Sequence, residues 1–230
     1  MPAGKYAVIG IGDFGRAIAI SLAQKGAEVL AIDCIPEAIE SISSEVAYAV
    51  TMDATDEKAL QALGIAEYDA VVVAIGQHFE QRIFCSSLLV QMNVKRLIVR
   101  SVGELQIKIL EKIGIREILS PEDEVGKIVA EKLLKPSMIS YLQLPDDHRI
   151  EEIVVPHKIA NRTVGDINIR DRYKLSLITI KRTFNEQGDS ELPVQHILGV
   201  PDTKTEILVG DHLVVFGRNK DIDRFIEINK

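Results

Sequence analysis

Tyr6-Ala7-Val8-Ile9, a short apolar run, leads directly into Gly10-Ile11-Gly12-Asp13-Phe14-Gly15, a G-x-G-x-x-G pattern at a strand-to-helix junction. Geometry gives each glycine a task. Gly10 permits the tight turn, Gly12 lets a pyrophosphate approach the backbone, and Gly15 lets the helix lie close to the strand. The helix start offers unpaired N–H groups and a positive dipole end to phosphate. A second apolar run ends at Asp33, eighteen residues beyond Gly15. A carboxylate there accepts bonds from both ribose hydroxyls and repels a 2′-phosphate, which disfavours NADP. The alternative task for Asp33 is to cap a helix beginning near Pro36.

Outward from this unit, short apolar runs alternate with amphipathic stretches over roughly the first 120 residues, the pattern of a Rossmann-like parallel sheet. Strands are predicted at Tyr6–Ile9, Glu28–Ile32, Ala47–Thr51, Ala70–Ile75, Arg96–Arg100 and Glu117–Leu119. Helices are predicted at Phe14–Lys25, Glu37–Ser43, Glu57–Leu63, Phe79–Met92 and Glu104–Ile113, with Gly26, Gly64 and Gly114 at stops. Another helix runs from Pro121 to Leu134 and is expected to stop near Pro136. These elements define a nucleotide-binding domain over residues 1–135, followed by a linker over 136–149 containing polar Pro145–Arg149. A small α+β domain over 150–230 is expected to hold strands Ile150–Val155, Ser176–Arg182 and His212–Phe216, and helices near Val164–Ile169 and Lys220–Ile228.

Composition narrows the function. Of 230 residues, 47% are hydrophobic, and 27 Lys plus Arg against 34 Asp plus Glu leave a net charge of −7. Such a chain repels a nucleic-acid backbone, and no basic recognition helix stands at either end, so no nucleic-acid partner is expected. Cys34 and Cys85 are far apart and belong to no Cys/His cluster, which argues against a zinc site or disulfide framework and fits a reducing cytosol. No apolar stretch reaches the ~18 to 20 residues that cross a bilayer, so membrane association is expected through a partner.

An enzyme is not indicated. No Walker-type loop or G-x-S-x-G elbow occurs, and His148, His157, His196 and His212 stand without a neighbouring motif. His78, just after the fourth strand, faces the nucleotide crevice in principle but has no catalytic partner in sequence. A nucleotide fold without chemistry suits a sensor whose ligand shifts a conformational equilibrium. The competing reading is an NAD(H)-dependent oxidoreductase or an NAD(H) redox sensor.

Several segments together resemble the KtrA/KtrC/TrkA-type RCK-domain regulatory subunits of bacterial potassium uptake systems. They are Tyr6–Gly12, Asp53-Ala54-Thr55-Asp56-Glu57, Val71–Gly76, Val99-Arg100, Leu110–Gly114, Pro121-Glu122-Asp123, Asn168–Tyr173 and Gly210–Val215. The resemblance implies a cytoplasmic, non-enzymatic gating-ring subunit, peripheral to the membrane, whose dimers assemble into an octameric ring. The ring would dock on an integral-membrane potassium-translocating subunit of the KtrB/TrkH kind. Adenine nucleotide would change its shape, with ATP and ADP as the switching pair and AMP or NAD(H) as further ligands.

Carried onto this sequence, the resemblance implies nucleotide contacts from Gly10, Gly12, Asp13, Phe14, Gly15 and Asp33. It adds Asp53, Ala54 and Thr55 on the adenine side, Ala74, Ile75 and Gly76 along the crevice, and Arg100 near the phosphates. A surface salt bridge is the other reading of Arg100. Glu122 matches a position that binds Mg²⁺ or Ca²⁺ between protomers in some relatives, although an acid in a first helical turn also suits the dipole. Asn168, Ile169, Arg170 and Pro201 match segments that bind cyclic di-AMP. A helix-to-strand turn is the alternative there, with Lys174 standing where glycine is usual.

The departure lies at Asp13, where the family usually has arginine. At ~5 Å and an effective dielectric of ~20, exchanging attraction for repulsion changes the interaction with each unit of phosphate charge by roughly 6 to 7 kcal/mol before screening. Weaker preference for ATP is therefore expected, unless a bound cation bridges Asp13 to phosphate or Arg16 substitutes for the missing donor; an arginine on the helix surface is the other reading of Arg16.

Overall fold

The computed structural model describes residues 4–134, 138–184 and 194–230. Two compact units divide the chain between Gly126 and Lys127. In the first, strands and helices alternate: β1 (Lys5–Ile9), α1 (Asp13–Gln24), β2 (Glu28–Asp33), α2 (Pro36–Glu40), β3 (Tyr48–Thr51) and α3 (Glu57–Ala62). The alternation continues with β4 (Ala70–Val73), α4 (Phe79–Gln91), β5 (Leu97–Arg100), α5 (Glu104–Lys112), β6 (Glu117–Leu119) and the start of α6 (Pro121–Leu134).

Among the described residues these strands form a six-stranded sheet in the order β3-β2-β1-β4-β5-β6, every neighbouring pair parallel. Helices cover both faces, which explains why β4 reads Ala-Val-Val-Val with each residue buried. Alternate residues serve opposite layers: Ala7, Ile9, Leu30, Ile32, Val71 and Val73 pack with Leu88, Leu89 and Leu110. Val8, Val29, Ala31 and Val72 pack with Ala19 and Ile42 on the other side. The strand order reverses between β1 and β4, and a crevice opens there beyond the carboxyl ends of the strands.

The second unit contains β7 (Met138–Leu144), β8 (His148–Val154), β9 (Arg162–Thr163), α7 (Val164–Ile167), α8 (Ile169–Tyr173), β10 (Ser176–Phe184), β11 (Val194–Ile197), β12 (Glu206–Ile207), β13 (His212–Arg218) and α9 (Asn219–Asn229). Among the described residues, an antiparallel sheet runs β11-β10-β13-β8-β7 and β12 pairs with β9. Ile153, Ile180, Leu213 and Val215 from the large sheet pack with Ile222 and Phe225 of α9. Asp211, only 1% exposed, takes the Arg182 guanidinium in two bonds of 2.7 and 2.8 Å and the Leu208 N–H at 2.8 Å.

The expected linker is corrected in part. Met138–Leu144 is an edge strand, and Pro145–Asp147 belong to the hairpin joining it to β8. Asp146 and Asp147 take φ of 57° and 56°, left-handed values that aspartate tolerates, in a three-residue loop turned by the His148 N–H on the Pro145 carbonyl at 3.3 Å. Their polarity reads as a boundary; their conformation makes a turn. The helix expected at Val164–Ile169 is broken at Asn168, which is left-handed with φ 50° and separates α7 from α8. The stop near Pro136 lies outside the described residues.

Candidate functional site

β1 delivers the chain into the glycine turn, and the three glycines meet different surroundings. Gly10 has φ +93°, and a Cβ there would lie 2.7 Å from the Ile75 nitrogen. At Gly15 a Cβ would fall 1.8 Å from the Gly10 carbonyl oxygen, so α1 approaches the turn as closely as backbone permits. Gly12 is the reverse case: nothing lies within 4 Å of its Cβ position, and it stands at the N-cap of α1 without a side-chain cap. The first N–H groups of α1 are left for a ligand.

Asp33, at the carboxyl end of β2, holds the turn to the second strand. One carboxylate oxygen accepts the Ile11 N–H at 2.6 Å and the other accepts the Ile35 N–H at 2.9 Å. Each oxygen keeps capacity for a further donor, which is what a ribose diol needs. Beyond β3, the Asp53 carboxylate accepts the Thr55 hydroxyl at 2.7 Å and its N–H at 2.8 Å. Those two bonds hold the Asp53 carboxyl below the ordinary aspartate range.

At the other end, Arg100 closes β5. Its guanidinium pairs with Glu122 in the first turn of α6 and lies 5.4 Å over the Phe14 ring. The α6 N-terminal backbone, and then Arg100, hold the Glu122 carboxyl below the ordinary range against the opposing effect of burial. A divalent cation at Glu122 would compete with this guanidinium. Among the described residues no three His, Cys, Asp or Glu side chains converge as a metal cage.

These segments enclose a cavity of about 960 Å³, at the upper end of the ~300–1,000 Å³ usual for small-molecule sites. Of the residues singled out in the sequence, Gly10, Gly12, Asp13, Phe14, Asp33, Asp53, Ala54, Thr55, Ala74, Ile75, Gly76, Arg100 and Glu122 line it. Gly15 is buried beneath the turn and acts through packing. His78 also faces the cavity, as do Cys34, Met52 and Gln81, which carry no motif that would single them out.

Of the two readings of Arg16, its placement agrees with the helix-surface one, since it is not among the residues lining the cavity. It donates to the Ser41 carbonyl at 3.0 Å and the Ser41 hydroxyl at 2.5 Å, tying α1 to the end of α2. Burial and the neighbouring Asp33 charge push the Cys34 thiol up, and burial pushes Cys85 up to about 12. Both cysteines are thus poor thiolates. In the second unit, Ile169 is 3% exposed and belongs to the core, whereas Asn168 and Arg170 are exposed. The turn following Pro201 reaches α7, with the Thr203 carbonyl accepting the Gly165 N–H at 2.9 Å.

The order β3-β2-β1-β4-β5-β6, the glycine turn and the acid ending β2 are shared by many nucleotide-binding proteins; comparison with known families is more discriminating. The TrkA-N domain model matches residues 6–121 and the TrkA-C domain model matches residues 150–230. The chain belongs to the TrkA-N/TrkA-C family of potassium uptake proteins. Among the relatives of this family, Ktr system potassium uptake protein A of Bacillus subtilis (strain 168) is 33% identical over 221 residues, covering 96% of this chain and 95% of that protein. Ktr system potassium uptake protein C of the same organism is 31% identical over the same shares. Among solved structures, the GsuK channel aligns with a TM-score of 0.67 at 15% identity, over 99% of this chain and 39% of that chain, a likeness of fold. No helix among the described residues is long and apolar enough to cross a membrane.

Proposed function

We propose that this family member is a non-catalytic, nucleotide-responsive subunit of a potassium uptake system, acting from the cytoplasmic face on an integral-membrane translocating partner. One observation carries the reading. The open Gly12 helix start, the braced Asp33 carboxylate and the Arg100 guanidinium line one crevice, which supports a ligand that carries both phosphate and ribose. An adenine nucleotide fits that chemistry, and the acid at Asp33 favours one without a 2′-phosphate. Asp13 places a like charge at the phosphate end, so ADP, AMP and NAD(H) stand beside ATP as ligands.

Assembly is part of the same proposal. α6 has no buried residue along its fourteen positions, and Val125, Ile128, Val129, Leu133 and Leu134 are exposed. An amphipathic helix of this kind needs a cover for its apolar side, and a second copy of the chain supplies one by symmetry. Repetition of such dimers into an octameric ring would let a nucleotide change the shape presented to the membrane subunit. The switch works only through a difference in affinity between two ring shapes.

Side-by-side calorimetric titration with ATP, ADP, AMP and NADH, followed by chromatography of the recovered ligand, tests the reading. Binding of an adenine nucleotide without its consumption is expected. NADH binding far tighter than the rest would overturn the ATP/ADP switch, and turnover would overturn the non-catalytic role.

A further inference from the structure

Arg82, in the first turns of α4, is fully buried at 0% exposure. Its acceptors are neutral. Nη1 donates to the Ile75 carbonyl at 2.5 Å and the Gly76 carbonyl at 3.2 Å, and Nη2 donates to Gln106 Oε1 at 2.5 Å. Gln106 Oε1 also accepts the Val102 N–H at 3.0 Å, so one guanidinium joins the loops that follow β4 and β5. Nε has no partner among the described residues. The guanidinium stands 5.3 Å from the Phe79 ring centroid, again without an anion.

A buried cation without a paired carboxylate is costly, so its location matters. Ile75 and Gly76, whose carbonyls it holds, line the nucleotide crevice. A Cβ at Gly76 would lie 3.3 Å from Arg100 Nη1, so two guanidinium groups flank this single glycine. Burial and then the like charge of Arg100 push the Arg82 guanidinium below the ordinary arginine value, while Glu122 opposes them. Glu122 is itself bonded to Arg100. Two cations therefore stand on the β4–β5 side of the crevice and only Arg100 is bonded to a carboxylate there, beside a glycine turn that carries an acid and whose Gly10 abuts the Ile75 backbone.

We propose that Arg82 determines specificity in this crevice: from behind the Ile75–Gly76 backbone it selects ligands by phosphate charge, and a bound phosphate supplies the counter-charge that the protein lacks. The inference rests on the nucleotide reading above. It assigns to a side chain that never touches solvent the task that a cation in the glycine turn would otherwise perform. Arg82 also braces two loops, and a role confined to bracing would alter binding of every ligand alike.

The test titrates the full-length protein and its R82Q, R82M and R82K variants with adenosine, AMP, ADP and ATP, at low and at moderate salt. Two neutral variants are used so that one failing to fold leaves the other. Adenosine affinity is expected to stay within about twofold, while the loss in R82Q or R82M reaches about tenfold for ADP and more for ATP, shrinking in salt. R82K should recover most of that loss. An equal loss for all four ligands, or none for any, overturns the proposal while leaving the nucleotide reading standing. Wild-type protein that binds none of the four overturns both.

Discussion

Gly12 and Gly15 separate binding from folding at the level of single atoms. A methyl at Gly15 meets the Gly10 carbonyl oxygen at 1.8 Å, a backbone atom that cannot swing aside. Gly15→Ala should lower unfolding free energy by about 3 kcal/mol in urea denaturation. Gly12→Ala adds its methyl to open space, with φ −73° and ψ −175° that any residue adopts. Its stability should stay within about 0.5 kcal/mol of wild type, while calorimetric affinity for ADP falls about tenfold or more as the methyl enters the phosphate path. Equal stability of the two variants would refute the division of tasks.

Among the elements, the antiparallel sheet contains a charge cluster that titrates with folding. Glu152 on β8 accepts Lys181 Nζ at 2.6 Å, Ser140 Oγ at 3.0 Å and contacts His212 Nδ1 at 3.1 Å. Burial alone would raise the Glu152 carboxyl, but the bonds from Lys181, His212 and Ser140 outweigh it and bring it below the ordinary glutamate range. A depressed folded-state value gives stability that is complete above the unfolded value of ~4.3 and is lost as pH falls through the folded value. Thermal melts should show this acid-side loss in wild type and a shallower one in Glu152→Gln. An unchanged pH slope would remove Glu152 from the account.

The same element view explains what could be read from residues alone. The parallel sheet was legible because β4 and its neighbours are continuous apolar runs separated by glycine stops; Gly26, Gly64 and Gly114 do take positive φ. Asp33 was legible as a crevice residue because it ends a strand after a glycine turn, whereas Asp53, two residues beyond β3, was reached only through the resemblance; both line the cavity. Arg82 was not legible: it occupies a helical position with no motif, and only the fold places it behind Gly76. β7 was hidden because Ser140, Leu142 and Gln143 are exposed on an edge strand, which leaves little apolar contrast. Lys174 is a conflict resolved in favour of tertiary structure, since it takes φ 59°, where glycine would be unstrained.

For the whole molecule, the proposed assembly makes the exposed side of α6 a subunit contact. Val129→Glu and Leu133→Asp sit at positions 49% and 77% exposed. They should change the stability of the isolated fold by no more than about 0.5 kcal/mol. Light scattering after size exclusion should nevertheless report a smaller assembly than wild type. Unchanged mass in both variants would move the subunit contact elsewhere.

The bracing of Asp33 has a bearing on where motion begins. On the proposed binding mode a ribose would meet an Asp33 carboxylate whose two oxygens are already held by the Ile11 and Ile35 amides, an anvil that costs little ordering entropy to occupy. The adjustable contact in that mode is at the other end, where Arg100 and Glu122 form an ion pair. In the proposed switch, phosphate would compete for the Arg100 guanidinium that Glu122 now holds at the start of α6.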